Sequence, residues 1–222
     1  MPSPLFLSLN GDTSRGRKPL RLGPELAEVL GEKLSDVGVK GGLLETTSLE
    51  HAERVAKLMT SLTRLRHQVK PSRRSKLSGK LMWKVCVDSS ALNYLVTTKL
   101  YIVVALRWPL DFLRGIIDGD GSISAYIDKK GYLVPGLRVY LNEEVDFDLA
   151  LFLKRFIEGE FGVHVSVKRE GGMIVLRMQS WKAVELLAEV RPAIESKRRA
   201  VEELVKLVRL PPRDRVREWL KA

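Results

Sequence analysis

Cysteine is nearly missing: Cys86 is the only one in 222 residues. A single thiol excludes an internal disulfide framework and a cysteine-based metal site. Its place in the strand-like run "LMWKVCV" marks it as a buried structural residue rather than a catalytic thiol. Histidine is scarce too, and His51, His67 and His164 form no zinc-like spacing. No apolar run is long enough to span a bilayer. The longest, "LYIVVAL" at 100–106, has the size of a core segment. No apolar h-region is visible near the N-terminus, so an intracellular protein without a membrane partner is expected. Acids are in deficit, 27 against 38 Lys and Arg, which leaves a net charge of +11. That balance favours a polyanionic partner, above all nucleic acid.

What is present is a succession of short elements. Residues 1–20 read as an N-terminal extension. Pro24 opens a helix over 23–36, with Leu26, Val29, Leu30 and Leu34 at helical spacing. A strand or hairpin follows in "VGVKGGLLETT", and Ser48 caps the helix "LEHAERVAKLMTSL". "RLRHQVKP" and "LMWKVCV" read as strands around the basic turn "SRRSKLSGK". Asp88, Ser89 and Ser90 then cap one helix, "ALNYLVTTKLYIVVAL". The second half repeats the order. The helix "LDFLRGIIDGD" leads to strands "SISAYID" and "LRVYLN", then to the helix "LALFLKRFIEGEFG". Strands "VHVSVKR" and "MIVLRMQ" are joined at Glu170-Gly171-Gly172, and helices "WKAVELLAEV" and "AIESKRRAVEELVKLVRL" close the chain. Each half reads α-β-β-α-β-β-α, a repeat of about 100 residues, longer than solenoid periods. The expected organisation is α+β, with a first domain over 21–108 and a second over 109–222, related by a pseudo-two-fold axis.

The segment "LRGIIDGDG" (113–121) sets two acids among glycines. Gly115 and Gly119 lie four apart, on one helix face. Aligning Gly31 with Gly115 places Ser35 on Gly119 and Asp36 on Asp120, with Ala27 one turn earlier. Small residues at this spacing let two helix backbones approach closely. Helices paired along these stripes would bring Asp36 and Asp120 together, and a divalent cation would relieve their repulsion. The alternative is a plain helix end, with the glycines serving as caps.

"LRGIIDGDG" resembles the LAGLIDADG motif of the homing endonuclease family, with six of nine positions identical (Leu113, Gly115, Ile117, Asp118, Asp120, Gly121). The first copy, "VLGEKLSDV", keeps Gly31 and Asp36. It has Glu32 and Lys33 where the second copy has Ile116 and Ile117. The resemblance implies the single-chain, two-repeat form of the family, with two antiparallel sheets packed through a central helix pair. It implies a monomeric, intron-encoded endonuclease that cuts a long asymmetric site in double-stranded DNA across the minor groove. In the family the eighth motif position is the metal-binding catalytic acid. This implies Asp120 and Asp36 as ligands of two or more Mg²⁺ ions, aided by backbone at Gly119 and Ser35. It also implies Lys197 as the basic residue near the scissile phosphate, and Asn142 or Glu143 as a residue orienting water. Relatives that serve as RNA maturases or DNA-binding regulators give an alternative without nuclease activity.

Strand alternation points the same way independently. Ser124 and Tyr126, Arg138, Tyr140 and Asn142, and His164, Ser166 and Lys168 fall on polar faces opposite apolar ones, with Arg177 in the next strand. In "RLRHQVK", Arg64, Arg66, Gln68 and Lys70 oppose Leu65, His67 and Val69. Arg, Asn and Gln pair with base edges, and a β-ribbon fits the major groove. From Thr63 to Lys84 there is no acid. Arg64, Arg66, Lys70, Arg73, Arg74, Lys76, Lys80 and Lys84 are expected to contact phosphates.

Overall fold

A computed structural model describes residues 6–7, 20–37, 42–76, 78–142 and 147–221. Most of the expected N-terminal extension, and Glu143, lie outside the described residues. The chain divides into two compact units, Met1–Gly119 and Asp120–Ala222. No helix is long and apolar enough to cross a membrane among the described residues.

In the first unit, β1 (Phe6–Leu7) pairs antiparallel with β2 (Leu20–Arg21). Helix α1 (Pro24–Glu32) begins at a proline in its first turn, where the missing N–H costs nothing. It runs on into a single π-helical turn, Lys33–Val37. Strand β3 (Leu43–Thr46) and helix α2 (Leu49–Thr63) follow. Ser48 caps α2, its hydroxyl accepting from the His51 N–H at 3.2 Å. Strands β4 (Lys70–Arg74) and β5 (Leu81–Cys86) complete an antiparallel sheet of order β3-β5-β4. The buried core is built from Leu44 and Val85 of this sheet with Val55 and Met59 of α2 and Leu26 and Leu30 of α1.

Three expectations for this unit are corrected. Residues 64–69 are not a strand. Arg64 takes a left-handed conformation as the C-cap of α2 (φ 57°), and its N–H reaches the Thr60 carbonyl. The next residues bond outside any ladder: the His67 N–H donates to Thr60 Oγ1, and its ring reaches Thr63 Oγ1 and the Cys86 carbonyl. Alternation fails there, and Leu65 is 65% exposed. The helix expected over 91–106 is two helices, α3 (Ser90–Thr97) and α4 (Tyr101–Arg107), broken at Lys99 (φ 59°). Val103 and Leu106 of "LYIVVAL" are exposed. Cys86 is also exposed, because it faces away from the buried Val85. Helix α5 (Pro109–Asp120) closes the unit and carries the motif.

The second unit is a four-stranded antiparallel sheet of order β6-β7-β9-β8. Its strands are β6 (Gly121–Ile127), β7 (Leu133–Asn142), β8 (Ser166–Glu170) and β9 (Met173–Met178). Gly171 (φ 57°) and Gly172 (φ 79°) both take the left-handed conformation that a two-residue hairpin loop requires. Helices α6 (Phe147–Phe161), α7 (Trp181–Val190) and α8 (Glu195–Val208) contact the sheet. Leu137, Val139, Leu141, Ile174 and Leu176 are buried with Leu153, Leu187 and Leu204 of these helices. The strand begins at Ser166 and not at Val163, so His164 precedes β8 instead of lying on its face. Beyond α8 the chain forms a further helix that the sequence pattern does not signal, α9 (Pro212–Trp219). Arg215 fastens it, bonding the carbonyls of Val208 and Leu210 at 2.7 Å each and stacking over Trp181 at 4.2 Å.

Candidate functional site

The motif helix meets α1 backbone to backbone. A Cβ added to Gly115 would lie 2.1 Å from the Glu28 carbonyl oxygen, and one added to Gly31 would lie 2.3 Å from that of Phe112. Each glycine occupies the other helix's closest approach. Ala27, one turn before Gly31, is fully buried. Ser35 folds its hydroxyl back onto the Gly31 carbonyl at 3.0 Å.

Charge is buried beside this contact. Glu28, 3% exposed, takes Arg54 as a fork at 2.6 and 2.8 Å and Arg114 at 3.3 Å; Arg114 also pairs with Asp111 at 2.8 Å. Burial pushes the Glu28 carboxyl above its ordinary value, against the pull of the two arginines. Glu32 and Lys33 depart from the motif in composition but not in placement. They are 1% and 0% exposed, like Ile116 and Ile117 at 1% each. His51 of α2 meets Glu32 at 2.9 Å. Lys33 is held below its ordinary pKa by burial, opposed by Asp88 and Cys86.

In α5, Asp118 is buried at 1% exposure, whereas Gly119 and Asp120 are half-exposed. Asp120 ends the helix, where backbone carbonyls pass beyond the intrahelical ladder. Its carboxylate and the neighbouring carbonyl are hard oxygen donors of the kind Mg²⁺ takes, so these residues fit such an ion. Among the described residues no group of three or more His, Cys, Asp and Glu gathers as a metal cluster. Asp36 belongs to the π-helical turn, where the i→i+5 pattern inserts one residue relative to α5. Its side chain lies outside the described part. Lys197 sits half-buried in α8 between exposed neighbours, of which Arg198 bonds the Ala193 carbonyl and Arg199 pairs with Glu195.

Each sheet has one polar face. In the second unit, register places Ser122, Arg138, Arg177 and Ser166 in one row across all four strands. Tyr140 and Lys168 flank Val175 in the next row, and Asn142 is exposed at the end of β7. Ser124 and Tyr126 are exposed on β6, and Gln179 donates to the Tyr126 hydroxyl at 3.3 Å. His164 is exposed and meets Glu158 at 3.1 Å. In the first unit, Lys84 stands between Lys70 and Glu45. Arg73, Arg74, Lys76 and Lys80 are exposed along β4 and its turn. Arg66 and Gln68 line a shallow depression of about 460 Å³ with His67, Lys70 and Lys84. The arginine cap Arg64 is exposed beside it.

Two acids were not foreseen on these faces. Glu45 accepts from the Ser72 hydroxyl at 2.6 Å and from Arg73 at 3.1 Å; first the Ser72 bond and then Arg73 hold its carboxyl below the ordinary range. Glu170 pairs with Arg177 and is likewise held low, chiefly by that bond. Only tertiary register, invisible in the spacing, brings Glu45 to this face. Glu170 was traceable, since counting back from the Gly171-Gly172 turn puts it on the face of Arg177.

No family model matches the chain, and no curated protein matches it significantly by sequence. Solved structures do match. The homing endonuclease I-WcaI bound to its DNA recognition sequence aligns at 16% identity over 81% of this chain and 87% of its own, with a TM-score of 0.59. I-DmoI in complex with DNA and Mn aligns at 16% identity over 75% and 96%, with a TM-score of 0.52. Full-length DUF199/WhiA from Thermatoga maritima aligns at 15% identity over 89% of this chain and 65% of its own, with a TM-score of 0.56. The α+β fold, the paired helices at Gly31 and Gly115, and the "LRGIIDGDG" segment on one of them agree: this chain has the fold of the LAGLIDADG homing endonucleases.

Proposed function

We propose that the protein is a site-specific endonuclease of double-stranded DNA that depends on divalent cations. The observation that carries this most directly is the motif helix. Gly115 packs against the backbone of α1, and Asp120 emerges half-exposed at the helix end, directly before the β6 strand. Asp120 would be one metal ligand, Asp36 its counterpart from the first copy, and the backbone at Gly119 and Ser35 would add oxygen donors. Mg²⁺ bound there would stabilise charge on the attacking and leaving oxygens of the phosphodiester. Lys197 would offset developing negative charge. The two basic sheet faces would read a long site in the major groove. The division into domains at 108/109 is part of this proposal, as are monomeric action, an intracellular setting and intron homing.

The test is cleavage of a supercoiled plasmid library carrying randomised inserts, with Mg²⁺, by wild type and by Asp120→Asn. Wild type should linearise a subset of plasmids. Asp120→Asn should bind them still, with cleavage reduced by about a thousandfold, the several kcal/mol a divalent ion supplies. Tight binding by both proteins with linearisation by neither would refute the nuclease reading. It would favour the second one, a DNA-binding regulator or RNA maturase. That alternative draws support from the buried charges Glu32 and Lys33, which stand in the first copy where the second has Ile116 and Ile117.

A further inference from the structure

The polar face of the second unit holds its central arginine down. Arg177 stands opposite Arg138 on β7 and opposite Ser166 on β8. Two arginines directly across a ladder repel each other. Glu170 lies at the far end of β8, at the pair Glu170–Met173, yet its carboxylate bonds the Arg177 guanidinium. To meet, the two side chains must reach along the sheet over the intervening Lys168–Val175 pair. The guanidinium therefore lies flat: Arg177 is 18% exposed, and its Nε is buried with no hydrogen-bond partner. An arginine placed only for phosphate contact would stand off the sheet into solvent. The Glu170 carboxylate sits in the field of Arg177, Arg138 and Lys168, all on this one face. On the other sheet Glu45 also accepts from Ser72 and Arg73, but Arg73 stays 67% exposed there.

We propose that Glu170 is the specificity-determining residue of this face, a latch that keeps Arg177 from phosphates and yields it only to a guanine edge. The inference rests on the DNA-binding reading above. A carboxylate in the middle of a basic surface weakens every phosphate contact near it, so random DNA gains least from this face. Guanine offers O6 and N7 as paired acceptors, which match two N–H groups of the guanidinium, one of them the Nη2 that Glu170 now holds. Phosphate can accept the same fork, but it brings a full negative charge up to the Glu170 carboxylate and is repelled, whereas the guanine edge is neutral.

The experiment is selection from a randomised duplex library with wild type, Glu170→Gln and Arg177→Lys, together with binding of a random-sequence duplex. Glu170→Gln is nearly isosteric at a 40%-exposed hairpin position, and thermal melting checks that it folds. The wild-type profile should contain one strongly preferred G·C position. Glu170→Gln should flatten preference at that position by about tenfold, within the range of a bidentate base contact, and should bind random duplex more tightly. Arg177→Lys should flatten the same position while leaving random binding weak. A wild-type profile that survives Glu170→Gln unchanged overturns the latch alone. A position lost in Glu170→Gln but kept in Arg177→Lys overturns it as well. A wild type that selects no sequence overturns the DNA reading and the latch together.

Discussion

Replacing Gly115 by alanine adds one methyl group where there is no room for it. The new Cβ would lie 2.1 Å from the Glu28 carbonyl oxygen and 2.8 Å from the Glu32 nitrogen. Both neighbours are backbone of α1, so no side chain can rotate aside. The helices must part by roughly an ångström, and overpacking of this kind costs about 1–3 kcal/mol, occasionally more. The upper end applies here, because parting also loosens Leu30, Leu113 and Ile116, all buried around the contact. At about 3 kcal/mol, a chain of this length should melt about 6–12 °C lower. Gly31→Ala meets the Phe112 oxygen at 2.3 Å and should behave alike. The double variant should cost less than the sum, since the first methyl already opens space for the second. Gly159→Ala is the control: Gly159 lies within α6 with nothing inside 4 Å of its added Cβ. There the same change should stabilise by about 0.5–1 kcal/mol. Calorimetric melting of the four variants decides it. A Gly115→Ala protein that melts at or above wild type, or a double variant whose loss is the full sum, would refute the close backbone contact.

Lys33 is fully buried, and burial holds its pKa below 10.5 in the fold. The unfolded chain therefore binds the proton more readily, and stability rises with pH between that lowered value and 10.5. Lys33→Met removes this titration, so the stability of wild type relative to the variant should rise as pH climbs towards 10.5. Chemical denaturation at a series of pH values would show it, and a stability difference that does not change with pH would refute it. Ser48→Ala should remove the hydroxyl that caps α2 and cost about 1 kcal/mol in the same assay, an unchanged midpoint being the contrary result. Alanine at Arg74, exposed on β4, should weaken binding to any duplex and lower the salt slope of log K by about one. An unchanged slope would remove Arg74 from the interface.

Much of the second unit was legible because local signals agreed with one another. Residues 122–126 of β6 and 137–142 of β7 alternate, Gly171-Gly172 supplies a hairpin turn, and the helices carry clear apolar stripes. The first unit was harder where contacts distant in sequence decide the outcome. Leu65, His67 and Val69 alternate like strand residues, but the Thr60 and Thr63 hydroxyls accept the backbone N–H groups of His67 and Leu65 that a partner strand would have bonded. The run from Ala91 to Leu106 has helical composition throughout, and only the left-handed turn at Lys99 divides it. Glu32 and Lys33 look like surface residues replacing core ones. Glu32 is met in the core by His51, which lies 19 residues away and is signalled by no motif. The stripe of small residues was the most readable part of the site, since steric exclusion needs no partner chemistry.

The contact between Gly31 and Gly115 has a consequence for how this chain can drift. Most helix pairs are spaced by their side chains, so a change on one helix calls for an answering change on the other. Here the spacing at the crossing is set by main-chain atoms, which are the same for every amino acid. Substitutions elsewhere on α1 and α5 leave that distance alone, provided two positions stay without a Cβ. The separation of the two motif helices is thereby uncoupled from the identity of nearly every residue they carry. A fold fastened at such a point has a central dimension that is not written in side chains.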